Sequence, residues 1–326
     1  MRSFDPSQTP PAPTRPRVAL IGNFDGFHRG HQAVVKEAQE AAIGIGGTVW
    51  LLTFDPHPRR FFAPDAPHSV LADQQVELRL AKALGLEGHK TVLFDRALAA
   101  QRPQEFIDTY IVGAIQASAV VVGHDFRFGQ GRKGSAETLR ADGRFSVSEV
   151  EPFVDEGGQT ISSSRIRGLL RDGSLAEANG LLGYRYFVGG TVEHGEKRGR
   201  QLGYPTANIA LPETSPLKHG IYATTIKVGD TVYLSVANYG QRPTFGDKPP
   251  LLEVHLFDFS GDLYGQDVEV AFHSHLRGEL KFDGVDALID QMDTDSAQAR
   301  AALAAAQPLS ALDLELGLVH ATAAAA

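Results

Sequence analysis

Short apolar runs alternate with stretches of helical periodicity through the first half of the chain. Arg17–Gly22, Thr48–Phe54, Thr91–Phe94, Ala119–Gly123 and Phe145–Val150 read as strands. Gln32–Ala42, Asp73–Leu84 and Pro103–Ile115 carry helical spacing. This alternation predicts a mostly parallel sheet covered by helices, with ligands bound beyond the carboxyl ends of the strands. Gly22–His31, Thr53–Pro58 and Gly123–Gly129 all fall at such ends. After Tyr184 the strands follow one another directly: Tyr186–Glu193, Ile221–Val228, Thr231–Asn238, Leu251–Phe259 and Val268–His273, with Gly229-Asp230 as a hairpin connection. That texture predicts an antiparallel sandwich or small barrel. Helical patterning returns at Asp283–Gln291 and Ser296–Ala306. Ser163–Leu170 and Leu175–Leu182 are expected to be helices linking the two halves, with the boundary near Gly183.

Composition narrows the picture. A chain of 326 residues suits two domains, each with its own core. Residues 1–16 hold five prolines and little periodicity, which predicts a disordered lead-in; 309–326 are expected to form a C-terminal tail whose alanine-rich end frays. The absence of cysteine excludes disulfides, thiolate metal sites and a cysteine nucleophile. Neither an apolar run of ~20 residues nor a signal pattern is found, so the cytoplasm is the expected compartment. A formal charge of −8 argues against a nucleic-acid binder.

The candidate chemistry sits in the loops. Gly22–His31 reads G-N-F-D-G-F-H-R-G-H between a strand and a helix, so backbone N–H groups and a helix N-terminus are expected where an anion can sit. His28 and His31 could converge on one phosphate, bind metal, or cap the helix. Neither a Walker A motif nor G-x-G-x-x-G is present, so a nucleotide site must be built another way. Ile161–Arg167, I-S-S-S-R-I-R, offers hydroxyls and two guanidiniums for a polyphosphate, or merely a capped helix with solvated arginines. Asp125 and Arg127 suit ligand orientation or a turn. Asp55 and His57, in a run stiffened by two prolines, suit a binding wall or a structural turn equally well. In the second half, Lys197–Asn208 reads K-R-G-R-Q-L-G-Y-P-T-A-N: a phosphate loop or a solvated turn. Thr206 and Asn208 supply hard oxygen atoms suited to Mg²⁺. Glu253 alternates with apolar neighbours along a strand and is either a general base in a cleft or an exposed carboxylate.

Taken in order, these motifs resemble the bifunctional bacterial riboflavin kinase/FAD synthetase family from about Arg17 to Arg300. They are joined by T-F-D-P-H-P, V-V-G-H-D-F-R-F-G, V-A-N-Y-G-Q-R-P-T-F-G, L-E-V-H-L-F-D-F, G-D-L-Y-G and L-R-G-E-L-K-F. The resemblance implies a Rossmann-like α/β nucleotidyltransferase domain at 17–183 and an antiparallel β-barrel riboflavin kinase domain with a C-terminal helix at 184–308. It implies riboflavin, FMN and ATP as substrates, Mg²⁺ as cofactor, and neither nucleic acid nor membrane as partner. In the kinase half, Glu253 would be the base, Thr206 and Asn208 would engage Mg²⁺ and phosphates, and Lys197, Gly203, Asn238 and Arg277 would surround nucleotide and flavin. In the adenylyltransferase half, His28 and His31 would stabilise phosphate charge, and Ser163, Ser164, Arg165 and Arg167 would hold the leaving pyrophosphate. Asp55, His57 and Asp125 would shape the adenine and flavin pockets, and Gly22, Phe24 and Asp25 would be cofactor-binding. Ser164, Tyr204 and Tyr239 stand where the family more often has threonine, phenylalanine and isoleucine; none of these changes removes a chemical group.

Overall fold

In the computed structural model the buried run Arg17–Ile21 becomes the central strand of a parallel sheet, because every one of its side chains is enclosed and a strand covered on both faces needs no polar alternation. The structure describes residues 2–3, 12–64, 69–195, 199, 202–212, 214–241 and 250–319. Strands β1 (Arg2–Ser3), β2 (Arg17–Ile21), β3 (Thr48–Asp55), β4 (Gly88–Leu93), β5 (Ala117–Gly123) and β6 (Ser146–Val150) lie in the order β1-β4-β3-β2-β5-β6. Every pairing between them is parallel. The order runs outward in both directions from β2, so the crevice beyond the carboxyl end of β2 is the topological switch point where such sheets bind ligands. The sequence Gly22–His31 emerges there.

Helices α1 (Arg29–Gly44), α2 (Pro58–Phe62), α3 (Gln74–Ala83), α4 (Arg96–Ala100) and α5 (Pro103–Phe106) follow, α5 running on as a π-helix over Ile107–Ile115. Ile107, Ile111 and Ile115 pack against Ala19, Ile21, Trp50, Leu52, Val120 and Val122 of the sheet. Strand β4 begins at Gly88, earlier than the apolar pattern indicates, because Gly88 is seated under the Trp50 ring, where a Cβ would lie 2.3 Å from it. Two parts of the proline-rich lead-in are ordered: Arg2 and Ser3 pair with Gly88 and His89, and Arg15 donates to the Gly47 carbonyl at 2.7 Å.

The chain divides into two compact units, Met1–His68 with Glu77–Ser162, and Ser69–Val76 with Ser163–Ala326. The division falls before Ser163, so helices α7 (Ser163–Asp172) and α8 (Leu175–Leu182), following α6 (Ala136–Asp142), group with the second unit. Asn179 on α8 donates to the Phe272 carbonyl at 3.0 Å and accepts from the Tyr186 N–H at 2.8 Å.

In that unit β7 (Phe187–Thr191), β8 (Ala207–Ala210), β9 (Gly220–Val228), β10 (Thr231–Gly240), β11 (Leu251–Leu256) and β12 (Asp267–Arg277) form an antiparallel sheet ordered β7-β12-β9-β10-β11-β8. A bridge from Glu193 to Asn208 nearly closes it into a barrel, deciding between the two expected architectures. Strand β8 has no strand signature in the sequence, since A-N-I-A holds a single β-branched residue. The two expected C-terminal helices are one, α9 (Val285–Ala304). Its polar middle turn breaks the apolar period because Asp295 is buried and answers Arg277 with contacts of 2.5 and 2.9 Å.

Part of the expected tail is core. Helix α10 (Ala311–Leu316) buries Leu312 and Leu316, and Leu318 follows them. Buried Arg185 donates to the buried Asp313 carboxylate, to the Gln307 carbonyl at 2.6 Å and to His273 Nδ1 at 2.9 Å. Removing one member of such a pair strands the other charge in a dry site. Asp313→Ala is therefore expected to destabilise the second unit by roughly 3–5 kcal/mol, read as a lower denaturation midpoint, whereas Asp258→Ala, which breaks the exposed pair with Arg300, should cost about 0–1 kcal/mol.

Candidate active sites

In the first unit, the turn after β2 is made by Gly26 and Phe27, both at positive φ (78° and 36°). It delivers His28 to the N-cap of α1, where its Nδ1 accepts from the His31 N–H at 3.3 Å. The two imidazoles stack with centroids 3.7 Å apart. Gly30 makes this possible: a Cβ there would press on the His28 ring at 3.1 Å. Phe24 packs edge-on to His31 at 5.1 Å. Burial, and then the neighbouring His28, hold the His31 pKa well below the ordinary histidine value, so this ring is neutral at pH 7. Its Nδ1 is enclosed and has no hydrogen-bond partner among the described residues. Capping is thus real for His28, and the enclosed His31 Nδ1 is left without a partner by it.

Around this centre, Gly22 donates its N–H to the Leu52 carbonyl at 3.1 Å, and Asp25 is buried. Asp55 is exposed at the end of β3, and His57 caps α2 by accepting from the Arg59 N–H at 3.1 Å. Asp125 is exposed in the loop after β5. Two features had no sequence signal strong enough to single them out. One is an aromatic wall in which Phe54, Phe61 and Phe62 converge on Phe94 at 5.9, 5.4 and 5.7 Å, with Phe62 68% exposed. The other is Glu77 on α3, which is hydrogen-bonded to Thr53 and lies in the field of Asp25 and Asp55.

Ser163, Ser164, Arg165 and Arg167 occupy the first two turns of α7, in the second unit. Arg167, itself buried, donates to Ser164 Oγ at 3.0 Å, and Arg165 pairs with Glu177 at 3.1 Å.

In the barrel the strand register brings three candidates into line. Asn208 on β8 lies opposite Glu253 on β11, and Glu253 lies opposite Asn238 on β10, so the three side chains share one face. Asn238 Nδ2 donates to Glu253 Oε2 at 3.4 Å. Leu252, Val254 and Leu256 are buried on the other face. Gly195 clears space for Asn208, whose amide nitrogen would lie 2.2 Å from a Cβ at that glycine. Past Gly203, which turns with φ 86°, the loop leading to Thr206 is anchored twice: the Tyr204 hydroxyl donates to Asp293 on α9, and His255 contacts the Pro205 carbonyl at 2.9 Å. Arg277 is engaged by Asp295 and by the Gly278 carbonyl at 2.8 Å. Lys197 lies outside the described residues. Among the described residues no group of three or more histidines and carboxylates could hold a metal ion. A cation bound at Thr206 and Asn208 would therefore take most of its ligands from water and phosphate, the usual manner of Mg²⁺.

Comparison with known proteins gives these two sites a context. The FAD synthetase family model matches residues 11–165 and the riboflavin kinase model matches residues 182–303. Together they define the class: a two-domain transferase pairing an adenylyltransferase fold with a flavin-kinase barrel. Bifunctional riboflavin kinase/FMN adenylyltransferases from Bacillus subtilis, Listeria monocytogenes and Escherichia coli are 37%, 39% and 38% identical to the chain. The matches cover 86%, 87% and 89% of it and 91%, 92% and 93% of the relatives. The chain belongs to the bifunctional riboflavin kinase/FMN adenylyltransferase family. A crystal structure from Streptococcus pneumoniae, described as a macrolide-efflux protein, superposes with a TM-score of 0.81 at 33% identity, covering 92% of this chain and 98% of that one. No helix among the described residues is long and apolar enough to cross a membrane.

Proposed function

We propose that the two reactions of this bifunctional enzyme are divided between the barrel and the parallel-sheet unit, with the chemistry carried by the residues assembled above. The enzyme transfers the γ-phosphoryl of ATP to riboflavin, giving FMN and ADP, and then the adenylyl group of a second ATP to FMN, giving FAD and pyrophosphate. The observation that supports the division most strongly is the row Asn208–Glu253–Asn238 on three adjacent barrel strands. Glu253 accepts the proton of the riboflavin 5′-hydroxyl as its oxygen attacks the γ-phosphorus, and Asn238 holds the carboxylate in place. Thr206 and Asn208 would hold Mg²⁺, which would supply positive charge against the phosphates. Gly203 belongs to the same nucleotide loop, Lys197 is assigned to nucleotide binding from the sequence alone, and Arg277 contributes by fixing α9 through Asp295.

In the other half FMN phosphate attacks the α-phosphorus of ATP, and the β,γ-pyrophosphate leaves. No protein nucleophile is needed, since the phosphate is already anionic. His28 and His31 donate hydrogen bonds to the phosphates, Gly22, Phe24 and Asp25 shape the nucleotide pocket, and Asp55, His57 and Asp125 rim the adenine and flavin pockets. The exposed Phe62 face suits a planar isoalloxazine. Ser163, Ser164, Arg165 and Arg167 at the start of α7 supply hydroxyls and guanidiniums of the kind that suits a pyrophosphate. Dependence on ATP and the absence of cysteine suit the cytoplasm.

Purified protein given riboflavin, ATP and Mg²⁺ is expected to yield FMN and then FAD on chromatography, and chelation of Mg²⁺ to stop FMN formation. Absence of FMN would refute the kinase assignment; FMN that never becomes FAD would refute the adenylyltransferase assignment; unchanged FMN formation under chelation would refute the role given to Mg²⁺.

A further inference from the structure

The loop that carries Thr206 folds tightly on itself. The Leu202 and Tyr204 N–H groups both donate to the Gly199 carbonyl, at 3.0 and 2.8 Å. A Cβ at Gly199 would lie 2.3 Å from the Tyr204 carbonyl oxygen and 3.7 Å from Thr206 Oγ1. Glycines give such a loop many alternative conformations, and ordering it costs conformational entropy. Tyr204 ties it to regular elements of the barrel. Its hydroxyl donates to Asp293, 89 residues further on, and its ring centroid lies 5.0 Å from that of His255. Asp293 stands on α9, which is packed onto the barrel by Ala299 and Leu303 against Ala223, Val236 and Phe257. His255 stands on β11 two residues beyond Glu253, on the same face of the strand, and its Nδ1 is 2.9 Å from the Pro205 carbonyl oxygen. Burial, and then Asp293, push the Tyr204 phenol up to about 12, so the hydroxyl keeps its proton at neutral pH. Pro205 has a fixed φ and restricts the residue before it, so a tether at Tyr204 also fixes where Thr206 stands.

We propose that Tyr204 is a positioning residue for riboflavin phosphorylation, whose hydroxyl, by bonding Asp293, holds the nucleotide loop and Thr206 in the ATP-binding arrangement before ATP arrives. This rests on the assignment of phosphoryl transfer to the barrel and of Thr206 to its nucleotide. A loop ordered in advance binds ATP without the entropy of ordering it. Once the tether is lost, ATP must do the ordering, and that cost falls equally on the bound ground state and on the transition state. The loss therefore appears in KM and leaves kcat.

The test starts from Tyr204→Phe, which keeps the ring against His255 and removes only the hydroxyl. In riboflavin phosphorylation the KM for ATP should rise about five- to tenfold with kcat within roughly twofold of wild type. FMN adenylylation, in the other unit, should be unchanged. Asp293→Ala should reproduce this pattern, and the double variant Tyr204→Phe with Asp293→Ala should be no weaker than either single variant. Asp293→Asn keeps an acceptor for the hydroxyl and should lie closer to wild type than to Asp293→Ala. An unchanged KM for ATP in Tyr204→Phe, a loss confined to kcat, additive losses in the double variant, or an Asp293→Asn variant as weak as Asp293→Ala would each overturn the proposal. Failure of wild type to make FMN from riboflavin would instead overturn the kinase reading on which it rests.

Discussion

Replacing Glu253 with alanine is expected to reduce FMN formation from riboflavin by about 10²–10⁴-fold while leaving conversion of supplied FMN to FAD within roughly twofold of wild type. The size follows from the base's task. The attacking 5′-hydroxyl is a poor nucleophile until its proton has somewhere to go, and Glu253 is the carboxylate in the row shared by Asn208 and Asn238. Fold stability should change little, because the side chain projects from the face opposite buried Leu252 and Val254. Glu253→Gln should be nearly as inactive as alanine, since the amide preserves shape and the Asn238 contact but cannot take the proton. A glutamine variant with substantial kinase activity would reduce Glu253 to a positioning role. Initial rates of FMN and FAD formation, measured separately, check all of this.

The double substitution His28→Ala with His31→Ala should do the reverse: adenylyl transfer falls by about 10²–10³-fold or more, and riboflavin phosphorylation persists. Structure complicates His28, because its ring caps α1 and its loss removes about 1 kcal/mol of capping. Two single variants separate the roles. His28→Asn keeps a side-chain acceptor for the helix N-terminus but removes the imidazole, so activity retained in this variant would mean that capping was the whole role. His31→Gln removes the ring whose enclosed Nδ1 lacks a partner, without touching the cap acceptor. If His31 meets the phosphates as a neutral donor, its contribution should not decline as pH rises from about 6 to about 8; a cationic His31 would lose it across that range.

The glycine-rich stretch Gly22–His31 was legible because its chemistry is local: strand end, turn and helix start lie within a few residues, and Gly30 with its two flanking histidines is a contact of neighbours. The alternation of strands and helices was legible for the same reason. Asn208, Glu253 and Asn238 could each be suspected separately, but their common row depends on the registers of β8, β11 and β10, which local patterning does not encode. Glu77 was invisible because its neighbours Thr53, Asp25 and Asp55 are distant in sequence and an acid on a helix normally faces water. In sequence Asp313 reads as part of a tail because its partner, Arg185, lies 128 residues away. Helices α7 and α8 were legible as helices; that they group with the barrel depends on contacts such as Asn179 to Phe272, across 93 residues.

Mixing the two defective enzymes tests most directly whether one chain carries two separable active sites. Glu253→Ala alone should leave riboflavin unconverted, and His28→Ala with His31→Ala alone should accumulate FMN. Combined in one reaction with riboflavin, ATP and Mg²⁺, they should make FAD, because FMN released by the second variant is a substrate for the first. A mixture that produces FMN but no FAD, or no flavin nucleotide at all, would contradict the account.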